Sequence, residues 1–259
     1  MNTIALEVRN HVLHIGLNRP KKLNAFTVEM LTELAEAFTI LEDDDNLRCA
    51  VFYANGKHFC AGLDLANVTP HIKAGNHLFP DGKVDPLQVN LKGRPRTKPV
   101  VMAVHGYNLT IAMEFILATD ICIAQDNAKF GQIEVKRGIY PFGGATIRMQ
   151  QRCGWGNAMR YLLTGDMFDA QEALRIGFVQ EVVSENPVAR ATEIAENIAK
   201  QAPLGVQGTL ISARKTIQEG EEEAKKHLIS DAIRLMNSED AAEGLKSFVE
   251  RREAKFIGR

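Results

Sequence analysis

The chain has no surplus of charge: 31 basic against 32 acidic side chains leave a net charge of −1 over 259 residues. Nucleic acid and anionic membrane surfaces are held by an excess of basic groups, so neither is an expected partner. Cysteine is sparse and scattered. Cys49, Cys60, Cys122 and Cys153 form no C-x-x-C pair, which points to reduced core thiols rather than a disulfide set or a zinc site. No apolar run approaches the ~20 residues that span a bilayer, and the opening "MNTIALEVRN" lacks the basic, apolar, small-residue order of an export signal. A soluble, cytoplasmic protein is expected. A phosphate-binding Walker loop, G-x-S-x-G and H-E-x-x-H are all missing, which removes the simplest nucleotide, serine-hydrolase and metalloprotease readings. "GWGNAM" starts like a dinucleotide turn at Gly154 but has Met159 where a third glycine belongs.

What is present reads as an α/β protein. "IALEVRNHVLHIGLNRP" predicts two short strands around a turn at Arg9-Asn10. His11 and His14 lie in that stretch as strand residues, with no further ligands to make them a metal pair. "TVEMLTELAEAFTILEDDD" predicts a helix capped by Thr27, with Met30, Leu31, Leu34, Phe38 and Leu41 on one face. "RCAVFYA", "PVVMAV" and "DICIAQ" are buried strands, and the alternation of strand and helix runs to about residue 183. After Pro187 nearly every residue is a helix former, with breaks at Pro203-Leu204-Gly205 and near Asn237-Ser238. The division expected is therefore a core of residues 1–187 and a helical region of residues 188–259. The stretch from Ala66 to Pro95, with four prolines and three glycines, is expected to be a structureless pocket wall.

One carboxylate is out of place. Glu114 lies in "NLTIAMEF", and on a helix its neighbours three and four positions away are Thr110, Ile111, Leu117 and Ala118. An ionised carboxylate on such a face is costly unless it is paired or its pKa moves; the plain alternative is a helix-end Glu that reaches water. Two strand-to-loop transitions flank it in the sequence, "CAVFYANGKHFCAGLDL" and "VVMAVHGYNLTIAMEF". Turns of this kind aim backbone N–H groups and a helix N-terminus at an anionic oxygen, as thioester chemistry requires when charge develops on the carbonyl. Glu134, in "AKFGQIEVKRGIYPFGGAT", has Lys136 and Arg137 beside it, and taken alone reads as a surface residue.

Taken together, "NRPKKLNAF", "FCAGLDL", "AVHGY" followed by Glu114, and "AKFGQIEVKRGIYPFGGA" resemble, in order and over essentially the whole chain, the crotonase superfamily of enoyl-CoA hydratases and isomerases. The resemblance implies a crotonase-type spiral of β-β-α turns with a C-terminal helical trimerisation region, assembled as a trimer or a dimer of trimers. It implies an acyl-CoA thioester substrate and no cofactor beyond the CoA that the substrate carries. By position it makes Ala61 and Ile111 the two oxyanion-hole N–H donors, and Glu114 and Glu134 the acid/base pair, Glu114 mainly for water and Glu134 mainly for the α-carbon. It assigns Lys22, Leu23, Ala25, Gly62, Leu63, Asp64 and Leu65 to CoA, and Phe256 to a neighbouring subunit's site. The chain departs from the family where Thr110-Ile111-Ala112 replaces a glycine-rich run. Either the Ile111 side chain turns into the core or the acyl group is displaced. Tyr140 and Phe142 imply a narrowed acyl pocket. Hydration of an α,β-unsaturated thioester is the first reading; double-bond isomerisation and a weakly active acyl-CoA-binding scaffold are the alternatives.

Overall fold

Asn10 and His11 both take positive φ, 47° and 66°, the pairing that a two-residue hairpin turn demands. The turn joins strands β1 (Ile4–Arg9) and β2 (Val12–Leu17), which pair antiparallel from Ile4↔Leu17 to Arg9↔Val12. The expected turn thus lies one residue further on. In this computed structural model, which describes residues 1–259, the remaining strands of the main sheet run parallel to β2. They are β3 (Cys49–Ala54), β4 (Val100–Val104), β6 (Ile121–Gln125) and β9 (Glu181–Val183), in the order β1-β2-β3-β4-β6-β9. A second sheet of three very short strands, β5 (Tyr107–Leu109), β7 (Lys129–Gly131) and β8 (Phe168–Asp169), stands beside it.

The parallel strands are covered on both faces, as parallel sheets require. Helix α1 (Val28–Asp43) is capped by Thr27, whose hydroxyl accepts from Met30 N, and buries Met30, Leu31, Leu34, Phe38 and Leu41. Phe52 of β3 lies at the centre of an aromatic group, with ring centroids 6.0 Å from Phe38 and 5.5 Å from both Phe59 and Phe115. On the other face, Val12, Val51, Val101, Ala103 and Ile123 meet Ala191, Ala195 and Ala199 of α7 (Pro187–Ala199). That alanine stripe lets the helix lie close to the sheet. The expected division at residue 187 therefore falls where α7 begins, but α7 itself belongs to the packing of the core.

Helix α2 (Leu65–Lys73) corrects the expectation of a structureless 66–95 segment: its first quarter is helical despite Pro70 inside it. Helix α3 (Ile111–Ala118) buries all eight of its residues. Helices α4 (Ala145–Cys153), α5 (Trp155–Thr164) and α6 (Ala170–Arg175) complete the core. Four more follow α7: α8 (Pro203–Glu219), α9 (Glu221–Lys225), α10 (Leu228–Met236) and α11 (Glu239–Glu250). No residue of α8 or α10 is buried. No helix is long and apolar enough to cross a membrane.

Candidate active site

The site forms where β3 and β4 end. Beyond β3 the chain passes through Asn55–Phe59 into Ala61–Asp64, and residues 19–26 are stitched along this turn. Ala61 N donates to Leu23 O (3.0 Å), Phe26 N to Gly62 O (2.9 Å) and Asp64 N to Phe26 O (2.8 Å). The buried Asn24 side chain donates to Asn55 O and His58 O, at 2.9 and 3.1 Å. Arg19 reaches Asp64 at 3.1 Å and donates to Ala25 O at 2.8 Å. Lys22, Leu23, Ala25, Gly62, Leu63, Asp64 and Leu65, named from the sequence as CoA-facing, are therefore neighbours on one stitched edge, where Leu23 and Leu65 are exposed.

This stitching corrects one assignment. The Ala61 N–H, expected as an oxyanion donor, already donates to Leu23 O. Phe26 forms a parallel bridge opposite Leu63; in that geometry Phe26 bonds to the residues on either side of Leu63, and the Leu63 N–H points away. Leu63 N–H is the free donor of this turn.

The second donor comes from α3. Thr110 N donates to Gly131 O at 2.9 Å, and Met113 and Glu114 direct their N–H groups to Thr110 O. Ile111 and Ala112 are the first two helical residues, whose N–H groups have no acceptor inside the helix. The Ile111 side chain is 1% exposed and sits in the main core, so it turns inward and leaves the N–H unobstructed from that side. The two turns touch through Gly62 (φ +108°): a Cβ there would lie 2.5 Å from Thr110 Oγ1. Thr110 itself holds φ 52°, ψ −114°, a conformation that β-branched residues adopt only under strain.

Both glutamates are buried, at 4% exposure for Glu114 and 7% for Glu134. The Lys136 and Arg137 neighbours that suggested a surface Glu134 belong to the same 3₁₀ turn and stay exposed while Glu134 turns in. Glu114 Oε1 accepts from Gly143 N (2.7 Å) and Ala145 N (3.2 Å). Burial drives its pKa up to about 7, and the charge of Glu134 adds to this. The two N–H groups and Arg148 pull the other way. Glu134 Oε1 accepts from Gln132 Nε2 at 2.8 Å, while its Oε2 is sealed without a partner; burial raises this pKa also to about 7. Glycine is required at 143, since a Cβ there would run into the Glu114 carboxylate.

A cavity of about 180 Å³ opens beside Phe142, which directly precedes the Gly143 donor, and is lined also by Val89, Phe79, Leu78, Ile72 and Asp85; neither glutamate lines it. Tyr140 is 66% exposed and does not line it. Phe256 lies elsewhere: its carbonyl accepts from Arg48 Nη2 at 2.7 Å, beside the start of β3 and so at the opposite end of the sheet from its own chain's glutamates. Sequence reasoning missed the donors Gly143 and Ala145, the partner Gln132, and Arg148. The Gly143-Gly144 pair just before a helix was the available signal, because it marks backbone that must come close to another group.

The geometry agrees with what the chain is similar to. The enoyl-CoA hydratase/isomerase family model matches residues 7–259. An enoyl-CoA hydratase of Mycobacterium tuberculosis is 36% identical, with 98% of this chain and 96% of that protein covered. A crotonyl-CoA hydratase of Syntrophomonas wolfei is 34% identical over 99% and 98%. The crystal structure of a probable enoyl-CoA hydratase/isomerase from Mycobacterium abscessus superposes with a TM-score of 0.95 at 51% identity, covering 99% of each chain.

Proposed function

The chain belongs to the enoyl-CoA hydratase/isomerase family and is an enzyme of the enoyl-CoA hydratase type, and from that premise we propose that it adds water across the α,β double bond of an enoyl-CoA to give a 3-hydroxyacyl-CoA. The thioester oxygen lies between the N–H groups of Leu63 and Ile111, which stabilise the negative charge of the enolate as it forms. Losing one such donor costs ~10²–10³ in rate. Glu114 takes a proton from water as the water oxygen bonds to the β-carbon. Glu134 then gives its proton to the α-carbon, and the enolate electrons form that C–H bond. The proton left on Glu114 returns through solvent to Glu134, so one water is consumed per turnover; no electrons are exchanged with a cofactor, and CoA takes part only as the handle of the substrate. Residues 19–26 and 61–65 hold that handle, Lys22 acting as a point charge for its phosphates.

The observation that carries this reading is the pair of buried carboxylates poised near neutrality, one held by two N–H groups and the other with a free oxygen. A general acid and a general base each work best with pKa close to the working pH. An isomerase moves one proton with one carboxylate; two so placed favour hydration. We further propose that residues 188–259 serve assembly, a trimer or dimer of trimers covering α10 and α11 and bringing Phe256 to a neighbour's site. Loss of the conjugated-thioester absorbance on mixing crotonyl-CoA with the protein tests the reaction. Glu134→Gln is expected to lower kcat by at least ~10²-fold while the thioester still binds; turnover near the parent rate would overturn the two-carboxylate assignment.

A further inference from the structure

Arg148 stands inside the site, yet the two-carboxylate reading does not by itself require it. Its Nη2 donates to Gln88 O at 3.1 Å. Its Nη1 is sealed from solvent with no hydrogen-bond partner and presses on Gly144, where any Cβ would collide with it. A sealed, unpaired N–H on a half-buried cation is costly, so the arrangement calls for a reason.

Arg148 touches two surfaces, the loop at Gln88 and the turn that holds Glu114. Gln88 takes φ +51° in a loop wound on the buried Asp85, whose carboxylate accepts from Leu87 N, Val89 N and Asn90 N at 2.8, 2.7 and 2.7 Å. Gly144 is the residue between Gly143 and Ala145, the two donors to Glu114 Oε1. One guanidinium therefore braces the 85–90 loop against the turn that grips Glu114.

Burial brings both carboxyls to about 7, but the charges around them are unequal. Glu114 faces the Glu134 carboxylate from the 3₁₀ turn and the Arg148 cation from α4. Glu134 is bonded to neutral Gln132 and to no cation. Arg148 is itself attracted by Asp85 and Glu114 and opposed by Arg152 and Arg214, and burial is the largest influence lowering its pKa. Two carboxylates in environments of different polarity divide the acid and base roles between them.

We propose that Arg148 is the positioning residue that tips two otherwise similar carboxyls, bracing the turn that holds Glu114 so that Glu114 is favoured as the ionised base and Glu134 as the proton donor. The inference rests on the hydratase reading and is tested separately from it. In Arg148→Met, kcat with crotonyl-CoA is expected to fall about 10- to 100-fold with KM within about threefold, since a positioned base contributes ~10²–10⁴. The acidic limb of the kcat/KM profile is expected to move up by about one pH unit as Glu114 loses its cation. Arg148→Lys returns the limb toward its parent position. An unmoved limb in the Met variant, or a Lys variant whose limb matches that of Met, overturns the proposal and leaves Arg148 a packing role. A parent that hydrates nothing overturns the hydratase reading instead. The inference is then decided by ¹³C NMR titration of the Glu114 carboxyl in the Glu134→Gln background, where Arg148→Met must raise its pKa and an unchanged titration refutes it.

Discussion

Removing the charge from a buried glutamate relieves a cost that folding carries. Glu114 and Glu134 are both pushed to about 7 by burial, from an ordinary 4.5. Between about pH 4.5 and 7 the native protein therefore holds protons that the unfolded chain has already released, and stability falls as pH rises through that window. Above it the full cost remains; below it the cost vanishes. Glu114→Gln is expected to raise stability by about 1–3 kcal/mol at pH 8, or roughly 3–8 °C in Tm, with no gain near pH 4.5. Melting curves at the two pH values check this, and a gain of equal size at both would mean that charge is not the cause. Glu114 was legible in the sequence because a carboxylate in an apolar helix is an anomaly. The burial of Glu134 was not, since two cationic neighbours in the chain say nothing about which way a 3₁₀ turn points. The switch from Ala61 to Leu63 was illegible for a related reason: motif position names a turn, and only the bonds from residues 23 and 26 say which of its N–H groups is spent.

At the level of whole elements, α8 buries none of its residues, yet Arg214 fastens it. Arg214 Nη2 donates to Asp120 Oδ1 at 2.8 Å and Nη1 to the carbonyl of Arg96. Asp120 also pairs with the fully buried Arg96 at 2.7 Å and accepts from Val100 N at 2.8 Å. Burial alone would raise the Asp120 pKa, but Arg96 and then Arg214 more than offset it and hold the carboxyl below its usual range. Arg214→Ala leaves Asp120 its Arg96 partner, so a loss of about 1–2 kcal/mol is expected rather than the 3–5 of an abandoned buried charge. Amide exchange should quicken in α8 and α9 while β3 and β4 stay protected; uniform quickening would show that the clamp serves the core instead. The long elements α1, β3 and β4 were readable from period and capping. Strands β5, β7 and β8, of two or three residues each, carry too little alternation to be seen. Helix α2 was hidden by Pro70, whose missing N–H and ring argue against a helix interior.

For the molecule as a whole, the last two helices leave a run of apolar side chains on the surface. Ile229 and Met236 of α10 are 72% and 74% exposed, and Phe248 of α11 is 82% exposed. Clustered exposed apolar side chains of this kind suit the assembly interface proposed above. Light scattering is expected to show three or six chains per particle. The double variant Ile229→Glu/Phe248→Glu should run as a monomer, with kcat/KM down at least about tenfold if a neighbour's Phe256 completes each site. Full activity in that monomer would end the proposed role for Phe256. The amphipathic pattern of residues 188–259 was visible in the sequence, but which of its faces meets the sheet was not. Alanines at 191, 195 and 199 read as ordinary helix formers until α7 is seen lying on β3, β4 and β6.

The stitched edge between residues 19–26 and 61–64 acts as a ruler. One of the two backbone segments that, on the proposed reading, hold the CoA handle also carries the Leu63 donor, so on that reading the distance from handle to reactive carbonyl is set by backbone hydrogen bonds and not by adjustable side chains. A thioester on a carrier of another length arrives with its carbonyl off the mark, whatever its acyl group. On that reading, selection for the carrier is written into the backbone. On the same reading the acyl end, if it enters the cavity lined by Phe142 and Val89, is free to diversify without disturbing it.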